Sequence, residues 1–260
     1  MVAENHEITS WGLRYRLSFS PKRRTVGLSV TPAGEVLVRA PRGMSKARVA
    51  EVVDRHRAWL EKKLAEKREA WSQLTPGAWY YRGRALQLVL VPDAGAEVRV
   101  RDGALVVPAA GSPAARMDRL RFWYGKEAVG WLRQGLAQHA PRMGLPVPRF
   151  EVRSWRRRWG ECRPDRGLAF NWRLILLPPE IMDYVVVHEL AHLLVPGHPP
   201  AFWQEVARHL PDYQSRRRWL RQQGAPFLLW QPRLEELGEG PGEPSCPALP
   251  PDPPLKPPLR

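Results

Sequence analysis

The chain is expected to be an α+β protein of two units, β-hairpins with one helix followed by a helix-rich unit. Three observations predict this. Apolar residues alternate over residues 26–38 and again over 81–107, the period of a half-buried strand. They recur at helical spacing over 45–71, 114–139 and 179–194. Between the two regimes, Ala109-Ala110-Gly111-Ser112-Pro113 has the composition of a linker. The expected units are therefore 11–108 and 113–235, with a Pro- and Gly-rich tail over 238–260 that has too few aliphatic residues to fold.

In chain order, Val26, Leu28 and Val30 alternate, Pro32-Ala33-Gly34 supplies a turn, and Val36 and Val38 resume the alternation, so a hairpin is expected. Ser45 can cap one helix running to about Trp71, with Val49, Val52, Val53, His56, Leu60 and Leu64 on its apolar face. Thr75-Pro76-Gly77 breaks it. Strand alternation returns in Tyr81, Leu86, Leu88 and Leu90, then in Val98, Val100, Leu105 and Val107 about an Asp102-Gly103 turn. A helix over 114–139 comes next, with Met117, Leu120, Trp123, Tyr124, Trp131, Leu132 and Leu136 as its stripe. Strands are expected over 150–153 and 168–176, flanking an Arg/Trp-rich loop. Pro178-Pro179 then starts an amphipathic helix, with Glu180 favoured by the helix dipole. A further helix covers 201–210, and the helical signal ends near Gly224.

Composition narrows the function classes. The longest apolar runs, 174–177 and 184–187, are far shorter than the ~18 residues a membrane helix needs. Residues 1–20 carry charges throughout and lack a signal-peptide core, so a cytoplasmic protein is expected. Two cysteines, Cys162 and Cys246, provide no disulfide framework and suit a reducing compartment. The formal net charge of +15 suits an anionic partner such as nucleic acid or nucleotide.

The chemistry concentrates at His188-Glu189-Leu190-Ala191-His192. Two histidines four residues apart on a helix project from one face toward one point, as a zinc ion (Zn2+) requires. Glu189, one residue past the first ligand, is angled away from the metal and can take the proton of a bound water as general base. A third ligand is needed. Val195-Pro196-Gly197 stops the helix and turns the chain so that His198 can reach the metal, and Glu205 on the next helix is the competing candidate. The His188–His198 spacing equals that of metzincins, but the glycine is two positions late and no methionine lies beyond His198.

Trp159-Gly160-Glu161-Cys162, residues 170–175 (Phe-Asn-Trp-Arg-Leu-Ile), Asp183-Tyr184 leading into the metal motif, Gly197-His198, Phe202-Trp203, Pro211-Asp212-Tyr213 and Arg217-Arg218-Trp219-Leu220 together resemble the YgjP-like metallopeptidases, relatives of the SprT-like proteases. The resemblance covers most of 14–224. It implies a compact zincin-like metallopeptidase unit acting on protein or peptide, with His188, His192 and His198 as ligands. Glu161 departs from the serine usual between the glycine and cysteine of that motif, and the SprT-like zinc ribbon is missing, the tail holding only Cys246.

Several other residues carry secondary expectations. The loop 154–166 interleaves Trp155 and Trp159 with arginines, of which Arg156, Arg157 and Arg158 are candidates for polyanion binding; the alternative is core tryptophans and solvated arginines. The strand 168–176 is a candidate sheet edge on which an extended peptide lies. Tyr213 is a candidate oxyanion stabiliser, or else a packing residue. Peptide-bond hydrolysis is the leading reading. Its rivals are a metal-dependent nucleotide phosphoanhydride hydrolase (a nucleoside triphosphate pyrophosphatase) and a nucleic-acid-associated protein with structural zinc, against which the available base Glu189 argues.

Overall fold

The computed structural model describes residues 6–92 and 97–238, so the expected tail beyond Gly238 lies outside the described residues. The chain divides into two compact units, Met1–Leu74 and Thr75–Arg260. It is an α+β protein with six α-helices and three small mixed sheets among the described residues.

In the first unit, strands β1 (His6–Ser10), β2 (Leu13–Ser20), β3 (Gly27–Val30) and β4 (Val36–Pro41) form one sheet in the order β1-β2-β4-β3. The expected hairpin is β3 against β4, with Leu28 opposite Val38 and Val30 opposite Val36. Tyr15, Leu17, Val36, Val38 and Ala40 bury their side chains with Val49, Val53 and Leu60 of the helices. One helix was expected here, but two form, α1 (Lys46–Arg55) and α2 (Arg57–Ser72). Ser45 caps α1 by accepting from the Arg48 N–H at 3.2 Å. The break falls at His56, whose φ is −103° and whose Nδ1 lies 2.8 Å from the Val52 carbonyl oxygen, so its side chain engages a helix carbonyl.

The second unit opens with β5 (Trp79–Tyr81), β6 (Arg84–Val91), β7 (Arg99–Arg101) and β8 (Ala104–Pro108), in the order β5-β6-β8-β7. Sequence alternation assigned these hairpins to the N-terminal unit; in the structure they group with the helix-rich part of the chain. At the β5–β6 turn the Arg82 and Gly83 N–H groups donate to the Ile175 and Leu176 carbonyls at 2.7 and 3.1 Å. Alternation marks a strand but does not say which core the strand joins.

The long helix α3 (Pro113–Arg142) is capped by Ser112 and buries Met117, Leu120, Trp123, Tyr124, Leu132 and Leu136, with Trp131 half-buried. Its Tyr124 hydroxyl donates to the Tyr80 carbonyl at 3.0 Å. Three short strands come next, β9 (Phe150–Arg153), β10 (Gly160–Cys162) and β11 (Leu168–Asn171), in the order β10-β11-β9. The strand expected over 168–176 stops at Asn171. There the Asn171 Oδ1 accepts from the Arg173 N–H at 3.1 Å and a 3-10 turn, Trp172–Leu176, begins. Strand β11 is also central, so it cannot be the free edge the sequence suggested; β10, which the sequence left as loop, is an edge.

Helix α4 (Pro179–Ala191) was expected to be amphipathic but is buried nearly all round, with Ile181, Met182, Tyr184, Val185, Val186, Val187, Leu190 and Ala191 inside. Helices α5 (Pro200–His209) and α6 (Tyr213–Leu229) pack on it. The helical signal fades near Gly224, yet α6 runs through Pro226 to Leu229. Burial of Ala225, Phe227 and Leu228, with Phe227 edge-on to Tyr80 at 5.2 Å, outweighs the proline.

Candidate metal centre

His188 lies in the last turn of α4 and His192 caps it, one turn further on the same face. The chain then reverses at Gly197, whose φ of +72° is a left-handed conformation that favours glycine, and presents His198 before Pro200 starts α5. One ring nitrogen from each of His188, His192 and His198 lies within 4.8 Å of the others. The Nε2 atoms of His188 and His198 are 3.2 Å apart. Two imidazoles bound tetrahedrally to one cation at ~2.05 Å would hold their nitrogens about 3.3 Å apart, so this spacing fits a shared metal.

Ring packing fixes the cluster. Phe202, fully buried on α5, stacks on His192 with centroids 4.4 Å apart and stands edge-on to His188 and His198, each at 4.9 Å. Trp203 stacks on His198 at 5.6 Å, and Tyr213 stacks on Trp203 at 5.6 Å. Burial, reinforced by the neighbouring His192, His198 and Arg217, drives the His188 imidazole down to about 3. Burial and His198 also lower His192, against a backbone hydrogen bond with Val195. Both rings are therefore neutral at physiological pH, the form in which imidazole binds a metal. The His188 Nδ1 is buried without a hydrogen-bond partner among the described residues.

Glu189 is 5% exposed and faces β10. A Cβ built on Gly160 would lie 2.5 Å from Glu189 Oε1 and 2.7 Å from its Cγ, so this close approach requires glycine. Burial, and then the carboxylate of Glu161, push the Glu189 carboxyl up to about 8, against a backbone hydrogen bond from Cys162. Sequence reasoning missed Gly160 as a site residue, although a glycine within an aromatic, arginine-rich stretch was a readable sign of close backbone approach.

The other candidates are not part of this cluster. Glu205 is held elsewhere: its Oε1 lies 3.0 Å from His209 Nε2, and its other oxygen pairs with Arg208. Tyr213 reaches the site's surroundings through its stack on Trp203. All three arginines, Arg156, Arg157 and Arg158, are exposed; Arg158 also pairs with Glu161 and lies over the Trp155 ring. Trp159 is half-buried beside Gly224 of α6, a packing position.

Three imidazoles converging beside a buried carboxyl make this chain a candidate metal-site protein of the hydrolytic class. The chain belongs to the YgjP-like family: the family model described as "YgjP-like, metallopeptidase domain" matches residues 24–223, and the family implies a metal-dependent peptidase with a divalent cation. No curated protein and no solved structure matches the chain. Among the described residues no helix is long and apolar enough to cross a membrane.

Proposed function

We propose that the chain is a zincin-like zinc metallopeptidase that hydrolyses peptide bonds, with His188, His192 and His198 as metal ligands and Glu189 as general base. The observation that carries this reading is the pairing of three converging imidazoles with a buried carboxyl one residue past the first of them. Zinc bound to such a donor set supplies Lewis acidity and brings a water's acidity near neutrality. Phe202 and Trp203 hold the rings in place. Burial and the Glu161 carboxylate raise the proton affinity of Glu189, which favours its taking a proton at a carboxylate oxygen and returning it to a leaving amine.

The edge strand β10 is our candidate for holding an extended peptide by main-chain hydrogen bonds, because its Gly160 touches Glu189. Tyr213 remains a candidate oxyanion stabiliser. The free thiol of Cys162 beside this site suits a reducing compartment, and we assign the protein to the cytoplasm.

The test compares zinc-loaded wild type with Glu189→Gln on a denatured protein, with and without single-stranded DNA, and on a panel of nucleoside triphosphates. Wild type should cleave the protein and Glu189→Gln should lose roughly 10²–10⁴-fold of that activity while keeping its metal. Glu189-dependent release of phosphate or pyrophosphate without proteolysis would replace this reading with the phosphoanhydride one.

A further inference from the structure

Tyr213 and Arg217 lie one turn apart on α6, so they share the face that meets Trp203. The Arg217 guanidinium carbon is 4.0 Å from the Trp203 ring centroid, and Trp203 in turn lies against His198 and His188 at 5.6 and 5.9 Å. Stacking over an aromatic face engages the flat side of a guanidinium and leaves its N–H edges available.

No carboxylate pairs with Arg217 among the described residues, and those nearby are engaged elsewhere. Glu205 pairs with Arg208 and His209, and Asp212 with Arg216. Arg216 differs in a second way, because it also donates to the Glu180 carbonyl at 3.0 Å. Arg218 and Arg221 on the same helix are exposed, while Arg217 is half-buried. A half-buried cation without a counter-ion is unfavourable, and it is more so beside a histidine cluster that would carry a divalent metal. Among the described residues no carboxylate supplies the balancing negative charge.

Resting on the peptidase reading, we propose that Arg217 binds an oxyanion of the substrate, either a standing carboxylate or the oxygen anion that develops on the scissile carbonyl, beside the histidine cluster. Trp203 then serves two sides at once, orienting His198 by one contact and the guanidinium by another. A lysine at this position would keep the charge but lose the planar stack and the forked donors.

The experiment uses the full chain loaded with cobalt(II), whose visible spectrum reports anion binding without any catalysis. Wild type, Arg217→Gln and Arg217→Lys are titrated with acetate and with its neutral isostere acetamide. Acetate should bind Arg217→Gln roughly ten-fold more weakly than wild type, with Arg217→Lys between them and acetamide unchanged. Equal acetate affinity in wild type and Arg217→Gln overturns the proposal. An equal loss for acetamide also overturns it, since that marks a structural role. Should Arg217→Gln not fold, the wild type and Arg217→Lys comparison decides by the same criterion. Peptide kinetics then separate the two sources of the anion: a fall in kcat at constant KM assigns the developing oxyanion, and a rise in KM confined to acidic peptides assigns a standing carboxylate. Failure of the peptidase reading would show separately, as no proteolysis by zinc-loaded wild type, and the acetate comparison would still decide the role of Arg217.

Discussion

The histidine cluster and the arginine-rich loop 154–166 both stood out in the sequence, and the fold treats them differently. The histidines lie at one end of a buried helix and the adjoining turn, and α5 closes over their rings with Phe202 and Trp203. In the loop, neighbours take up part of the charge and the backbone: Arg158 pairs with Glu161, Arg163 pairs with Glu151 on β9, and the Asn171 amide donates to the Trp155 and Arg158 carbonyls at 2.7 and 2.9 Å. Regular secondary structure converts sequence spacing directly into direction in space. A loop does not, so a cluster of charges there is first absorbed by its own neighbours.

The largest effect expected from this contrast is on metal. Wild type should carry about one zinc per chain and His188→Ala none, measured by elemental analysis. Chelation should lower the Tm of wild type but not of His188→Ala, since a ligand present at about 1,000 times its Kd contributes roughly 4 kcal/mol to stability. Zinc retained in His188→Ala would break the contrast.

Gly160 sharpens it, because it belongs to the loop region yet touches Glu189. Gly160→Ala should cost about 1–3 kcal/mol in denaturant unfolding and reduce proteolysis while leaving zinc content intact. Unchanged stability and activity would show that the close approach of β10 to Glu189 is dispensable. The smallest effect belongs to the arginines. Replacing Arg156, Arg157 and Arg158 together by Ala should change stability by no more than about 0.5 kcal/mol. If the loop binds nucleic acid, the salt slope of binding should fall by about two units rather than three, because Arg158 is held by Glu161. An unchanged slope would return all three to a solvated surface.

The hairpins, α3 and the helix carrying the paired histidines were legible because each rests on a period or a local cap. What was misread depends on side-chain choices made in three dimensions. Asn171 ends a strand by bonding a backbone N–H two residues on, and His56 interrupts a helix by bonding a carbonyl four residues back. At three residues, β10 is too short to show alternation, and it exists because β11 pairs with it. The continuation of α6 past Gly224 was hidden by Pro226, whose local penalty is offset by burial against residues more than a hundred positions earlier, such as Tyr80.

The three histidines fall within residues 188–198, whereas Gly160, which lies close against Glu189, is far back in the chain and in a different element. Closing so short a segment costs little chain entropy, although α4 itself is held by the core packed around it. Seating the carboxyl needs the three-stranded sheet as well, which is a contact of higher order. The meeting of the three histidines is thus specified over a short stretch of chain, and the seating of the carboxyl beside them over a long one.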